Sequence, residues 1–489
     1  MSQYTLAKFV PTASDPWDRS KAAHVLNRAG FGGRPDEVDR IVRLRMDAAV
    51  DELIDSGRFP ENFPVPDYSN VRALWESYAR LIQERAPQRE RFEAIVAAQR
   101  ADNQKFVELR EWWVTRMILS PRPLQEKMVL FWHGLLVSGR PEVRQSELLL
   151  IQNEMFRRNA LGSFKDMTLA ISKDPAMLRY LDNNINRRGR PNENYARELL
   201  ELFTMGIGNY TEQDIKEAAR AFTGWTYRNY EFYFDTRQHD DGSKTFLGRT
   251  GNLDGGDIIN IIFEQPATAR WVPRKLFEYF GYLRPEDSLV VVMADLFRRR
   301  NFEVAPLVRA ILSSSAFYSP KAMRTQVKSP VQLVVGTARL LEPDAAAMPA
   351  LIRAMDLMGQ ALFVPPNVGG WPRGEGWITT MTILHRYNFS SLILTGGMPG
   401  LARRPAARPA VPTGAQKILD GAGTAGEVVN RLVNAMAAGM LADERKSALM
   451  RALGASNGQT PYAREGAATD AKLRSALHLL MSSPEYQMA

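Results

Sequence analysis

The residues best suited to chemistry in this chain are concentrated between Asn192 and Trp225, with histidines contributed from elsewhere. Glu198 and Glu201 stand three apart in a helical pattern, so their carboxylates share one face, with Asn194 and Arg197 within a turn of them. Such a pair can hold a metal ion, or divide into general acid and base where burial separates the two pKa values. It can equally be a set of ordinary i,i+4 ion pairs, Glu193 with Arg197 and Arg197 with Glu201. Leu199, Leu200, Leu202 and Phe203 crowd the same helix and leave little solvated face, which points to a buried polar cluster with Glu198 and Glu201 turned inward, towards His133.

His133 follows Phe131-Trp132 at the end of an apolar helix, where a lone histidine is more often a packed, hydrogen-bonded core residue than a ligand. His239 and Asp240, followed by Asp254 and Asp257, offer one imidazole and several hard oxygens. That donor set suits a divalent metal, although its spacing matches no named metal motif, and Asp241-Gly242 is also ordinary turn chemistry. Asn367 and Trp371, with Trp377, Tyr387 and two glycines nearby, make an aromatic and amide-bearing stretch. It could present a platform for a sugar ring, or pack as a cover over the core with Trp371 largely buried. There is no GxSxG elbow, P-loop or HExxH, and Gly30-Phe31-Gly32-Gly33 follows a helix instead of a strand, which argues against a dinucleotide site.

The elements that must carry these groups are mainly α-helical. Apolar residues recur at helical spacing through most of the 489 residues, and Thr211 to Asp214 reads as a capping box. Gly206 is placed to end the helix that starts near Asn194. Alternation of Tyr230, Phe232 and Phe234 with polar residues, then Asp241-Gly242, predicts one small β-hairpin near residues 230–247. The sequence divides into a large multi-helix domain (1–400), an Ala/Pro/Arg linker (401–416) and a short C-terminal helical appendage (417–489) that packs on the main domain.

Composition excludes several classes. With no cysteine, disulfides, thiolate nucleophiles and Cys-ligated metals are impossible. The net charge of +9 is spread through amphipathic helices, without a recognised nucleic-acid-binding motif, so specific nucleic-acid binding is not expected. No apolar run approaches the ~20 residues needed to cross a bilayer. Residues Met1 to Asp15 lack the apolar core of a secretory leader, so the sequence as it stands reads as cytoplasmic, or as exported with a leader removed.

Several segments together resemble the bacterial family catalogued as domain of unknown function 1800. They are HVLNRAGFG (24–32), PLQEKMVLFWH (123–133), PNENYARELLELFTMG (191–206), EAARAFTGW (217–225), His239-Asp240 with Lys244-Thr245, and PPNVGGW (365–371). Many members carry a second histidine shortly after the first in the Phe-Trp-His motif, where Leu135 stands here. The resemblance implies a mostly helical fold, bacterial origin, frequent export, and a frequent companion of the family called domain of unknown function 1501, which looks like sulfatases and alkaline phosphatases. Two functional readings follow. The first is a hydrolase-like enzyme acting on a polymer or glycan, with Glu198 or Glu201 as base or metal ligand, Arg197 as orienter, His133 alongside, His239 and Asp240 as proton shuttle or ligands of a possible divalent metal, and Asn367 and Trp371 against substrate. The second is a non-catalytic helical scaffold or partner of the sulfatase-like companion. An enzyme should gather these residues in one pocket, whereas a scaffold should scatter them as caps and ion pairs.

Overall fold

A computed structural model describes residues 5–395, 411–463 and 466–489. Among these residues the chain forms 24 α-helices and two small antiparallel hairpins, a mainly α fold. Most of the division expected at 401–416 falls on 396–410, outside the described residues. Helices Thr413–Leu419, Ala425–Met436, Asp443–Ala452 and Ala467–Met481 follow it, and the first and last of these pack on helices Pro330–Leu341 and Thr380–Thr395. The end of the chain is keyed into the main body: Ala489 N–H donates to Gln326 O at 2.8 Å, and Lys328 N–H to Gln487 O at 2.9 Å.

At the centre lies the helix Pro123–Leu135, which starts on a proline at its first position, where no intrahelical N–H bond is lost. It has almost no polar face, so it must be surrounded. Helices Arg19–Ala29, Met46–Ile54, Gln88–Leu119 and Ser146–Arg158 all pack against it, and every residue from Glu126 to His133 is buried.

Locally the chain follows its caps. Thr211 and Asp214 form the reciprocal capping box that opens Glu212–Ala221. Gly206 does end the preceding helix, at φ +81°, but that helix changes character first: Asn194–Glu198 is α, and Leu199–Thr204 widens into a π-turn. Thr204 Oγ1 donates to Leu199 O at 2.5 Å, and the Trp271 indole donates to Leu202 O at 2.9 Å, so carbonyls loosened by the wide turn find donors. A Cβ on Gly206 would come within 2.7 Å of the Trp271 ring.

The expected single hairpin is two. Trp225–Arg228 pairs with Glu231–Phe234, and Lys244–Phe246 with Arg249–Gly251. The turns are Asn229-Tyr230 and Leu247-Gly248, each with positive φ at both central residues, the geometry that matches strand twist in a two-residue loop. Asp241-Gly242 is therefore a turn between hairpins. Its Gly242 N–H donates to Asp240 Oδ1, and this local side-chain bond takes the place of a strand ladder.

Candidate functional site

The carboxylates singled out by spacing do not meet His133. Glu201 accepts from the Tyr210 hydroxyl at 3.2 Å. Glu198 is half-buried, and its carboxyl is raised by loss of solvent and then by the Glu201 charge, with Arg197 opposing. Its negative charge also helps raise the Tyr180 hydroxyl to about 12, behind burial and Glu142. Arg197 spends its guanidinium on Glu212, at 2.8 and 2.9 Å, and on Glu193 at 3.2 Å. The helix thus carries ion pairs outward, and Leu199, Leu200, Tyr195 and Phe203 inward.

His133 sits elsewhere, in an aromatic cage of Trp113, Phe156 and Phe363 with ring centres 4.7–5.2 Å away. Asn153 Nδ2 donates to its Nε2 at 3.0 Å, which assigns the ring proton to Nδ1. Burial, and then the Arg157 charge, pushes the imidazole down to about 3, so it is neutral at physiological pH. This is the packed core histidine of the simpler expectation.

The remaining candidates are engaged locally. His239 Nδ1–H donates to Thr223 O at 2.8 Å, and Phe234 stands edge-on to the ring. Asp240 holds Arg220 through Nε at 2.8 Å and Nη2 at 3.2 Å, and these bonds keep its carboxyl down at about 2. Asp254 and Asp257 form a capping box on Gly255–Glu264. Among the described residues no three His, Asp or Glu side chains stand close enough together to hold a metal ion. Asn367 is exposed, and its side chain accepts from Gly369 N–H within its own loop.

Trp371 leads to a different place. It is 8% exposed, and its indole N–H has no partner among the described residues. The ring lies over the end of Pro123–Leu135, where Gly370, at φ +83°, would put a Cβ 2.5 Å from Gly134 O. Beneath this loop is a cavity of about 80 Å³, partly open to solvent, whose wall includes Lys127, Tyr279, Gln332, Gln360, Trp371 and Trp377.

Lys127 is 3% exposed. Its ammonium lies over the rings of Phe31 and Tyr279 at 5.2 and 5.3 Å, and among the described residues it has neither hydrogen bond nor ion pair. Loss of solvent, and then the charge of Arg28, lowers it to about 7. Arg28 is equally buried; its Nε donates to Phe280 O at 2.7 Å, its Nη2 has no partner among the described residues, and it is lowered to about 9 by desolvation. The acid on the cavity wall, Glu278, is taken by Arg373 at 3.6 Å and Lys275 at 3.8 Å. Two buried cations therefore stand together without an acid, an arrangement that costs folding energy unless an anion or a lost proton answers it.

Nothing in the spacing of the sequence singled out Lys127. A signal was present all the same, since a helix reading Pro-Leu-Gln-Glu-Lys-Met-Val-Leu-Phe-Trp-His has no face on which its lysine could be solvated. Three segments converge on Lys127: it and Phe131 from PLQEKMVLFWH and Trp371 from PPNVGGW line the cavity, while Arg28 and Phe31 from HVLNRAGFG stand against the lysine without lining it.

Comparison with curated proteins and with solved structures returned no match. The model of the family described as protein of unknown function (DUF1800) matches residues 24–488, nearly the whole chain including all three converging segments, and the protein belongs to that family.

Proposed function

We propose that the Lys127 cavity is the functional site and that it binds a small anion, most favourably a carboxylate. The observation that carries this reading is the pair of buried cations, Lys127 and Arg28, with no acidic partner among the described residues. A bound carboxylate would offset the charge and give acceptors to the ammonium, and charge-assisted bonds of this kind are about twice as strong as neutral ones. With about 80 Å³ available, and roughly 30 Å³ per liquid water as a yardstick, the site admits a molecule of a few heavy atoms, or the acid end of a larger one reaching in from solvent.

The polar residues from Glu193 to Asp257 support the architectural reading of their own segment, as caps and ion pairs. Calorimetric titration with acetate and with inorganic phosphate tests the proposal. Binding is expected to be lost in Lys127→Met and to weaken as pH rises through about 7, where the lysine gives up its proton. An absence of binding and of thermal stabilisation by either anion, at pH below 7, overturns it.

A further inference from the structure

We propose that Lys127 is a nucleophilic amine that forms an imine with a small carbonyl acid seated in the cavity. This rests on the reading of the cavity as an anion site and adds a covalent step to it. A lysine becomes a nucleophile when an apolar pocket or a neighbouring cation removes its proton, and both conditions are met: aromatic rings cover Lys127, and Arg28 lies beside it. Among the described residues its nitrogen makes no bond to protein, so the lone pair is free when the proton leaves.

Lys328 shows what is particular about this. It is a second buried lysine, also lowered to about 7 by burial and by Arg324 and Arg386, yet its Nζ donates to Tyr486 O at 2.7 Å and is fixed there. Lys328 is structural by geometry, and Lys127 is not. The charge of Arg28 beside the lysine favours a ligand that carries an acid group, and Trp371 forms part of the wall against which that ligand would sit.

In the step itself the neutral amine adds to the carbonyl carbon and the C–O π bond breaks onto oxygen. The two amine hydrogens leave with that oxygen as water, and the C=N bond forms; protonation of its nitrogen gives the iminium. No oxidant or reductant takes part. The charged and titratable groups facing Lys127 are Arg28 from helix Arg19–Ala29 and Tyr279 from Pro266–Phe280, with Glu278 and Arg373 on the same cavity wall. Tyr279 is raised far above the physiological range by burial, and Glu278 and Arg373 neutralise each other, so the free-amine fraction follows Lys127 itself.

The test is to incubate the protein with glyoxylate, reduce with borohydride, and map the carboxymethyl adduct by peptide mass spectrometry. The adduct is expected on Lys127, in preference to Lys328 and the surface lysines, with a yield that rises as pH passes about 7. Lys127→Met should remove it; this variant deletes a buried charge and should fold. Adduct spread over surface lysines with Lys127 unmodified, while acetate still binds, overturns the imine and leaves the anion site standing. Adduct on Lys127 without acetate binding supports the imine and removes the anion reading. Neither adduct nor acetate binding overturns both.

Discussion

Glu126 and Lys127 are adjacent on one buried helix, and only the first is answered by the protein. Glu126 is fully buried and accepts from Arg157 at 2.7 and 3.0 Å, from Arg116 at 3.0 Å and from the Trp113 indole at 3.2 Å. Those arginines hold its carboxyl below the usual range against the pull of burial. The fold thus satisfies a buried charge within one residue of leaving another bare, which makes a general shortage of polar partners a poor explanation for Lys127.

The two positions should respond to substitution with opposite signs. Glu126→Gln leaves Arg116 and Arg157 beside a neutral group, with only the outer acids Glu61 and Glu154 to answer them, and should destabilise the protein in denaturant unfolding. Lys127→Met keeps most of the volume and removes an uncompensated charge, and should stabilise the ligand-free protein by ~1–3 kcal/mol below pH 7. A residue kept at the expense of stability is the pattern expected of a functional group. A destabilised Lys127→Met would show that the ammonium has a compensating partner in solution.

The aromatic loop should be rigidly seated. Trp371→Ala opens a space over Gly134 and the cavity, and should lower stability by ~3–5 kcal/mol. Gly370→Ala meets two obstacles at once, a left-handed φ of +83° and the Gly134 carbonyl at 2.5 Å, and should also destabilise, by ~1–3 kcal/mol. A melting temperature unchanged in both variants would mean that the loop does not cover the helix end.

The helical body was legible because its signals are local. The Thr211–Asp214 box, the Gly206 stop and the prolines that open helices act within a turn, and the structure keeps them. The hairpins were misread for a physical reason: Asn229-Tyr230 and Leu247-Gly248 adopt paired positive φ without the Asn-Gly or Asp-Gly signature, whereas Asp241-Gly242 has that signature and no ladder. At the site, spacing could show that Glu198 and Glu201 share a face but not which way it points. That depended on Arg197 reaching Glu212, fifteen residues further along the chain. The isolation of Lys127 depends on residues from five separate segments, and no local pattern reports it.

Glu201→Gln separates an acid–base or metal role for the carboxylate pair from an architectural one. With the Glu201 charge gone, Glu198 loses a repulsion that raises it, while Tyr210 keeps an acceptor. Stability should stay within about 0.5 kcal/mol, the range of a substitution away from the core, and the Glu198 carboxyl should titrate lower by NMR. A loss of bound metal or of a hydrolytic activity by ~100-fold would instead restore the pair as a reactive site.

His133 predicts an acid-sensitive core, with a sign that can be worked out. Its folded-state value of about 3 lies below the ordinary 6.5, so between those two values the unfolded chain binds the additional proton. Stability from this group is therefore fully present above about pH 6.5 and is lost as pH falls towards 3, by about 2–3 kcal/mol at ~pH 4.5. His24, buried and also lowered, acts in the same direction. Asp174, raised to about 7, and Glu198, also raised, act in the opposite one, because a folded state that retains carboxyl protons gains stability on acidification. The total pH profile mixes these contributions, so the difference between wild type and His133→Gln is the informative quantity. Glutamine can still accept from Asn153 Nδ2 but takes up no proton, and the variant's stability deficit at pH 7 should shrink steadily as pH falls from 6.5 towards 4.5. A deficit independent of pH over that interval would mean that His133 titrates normally in the folded protein, and that its aromatic cage admits water.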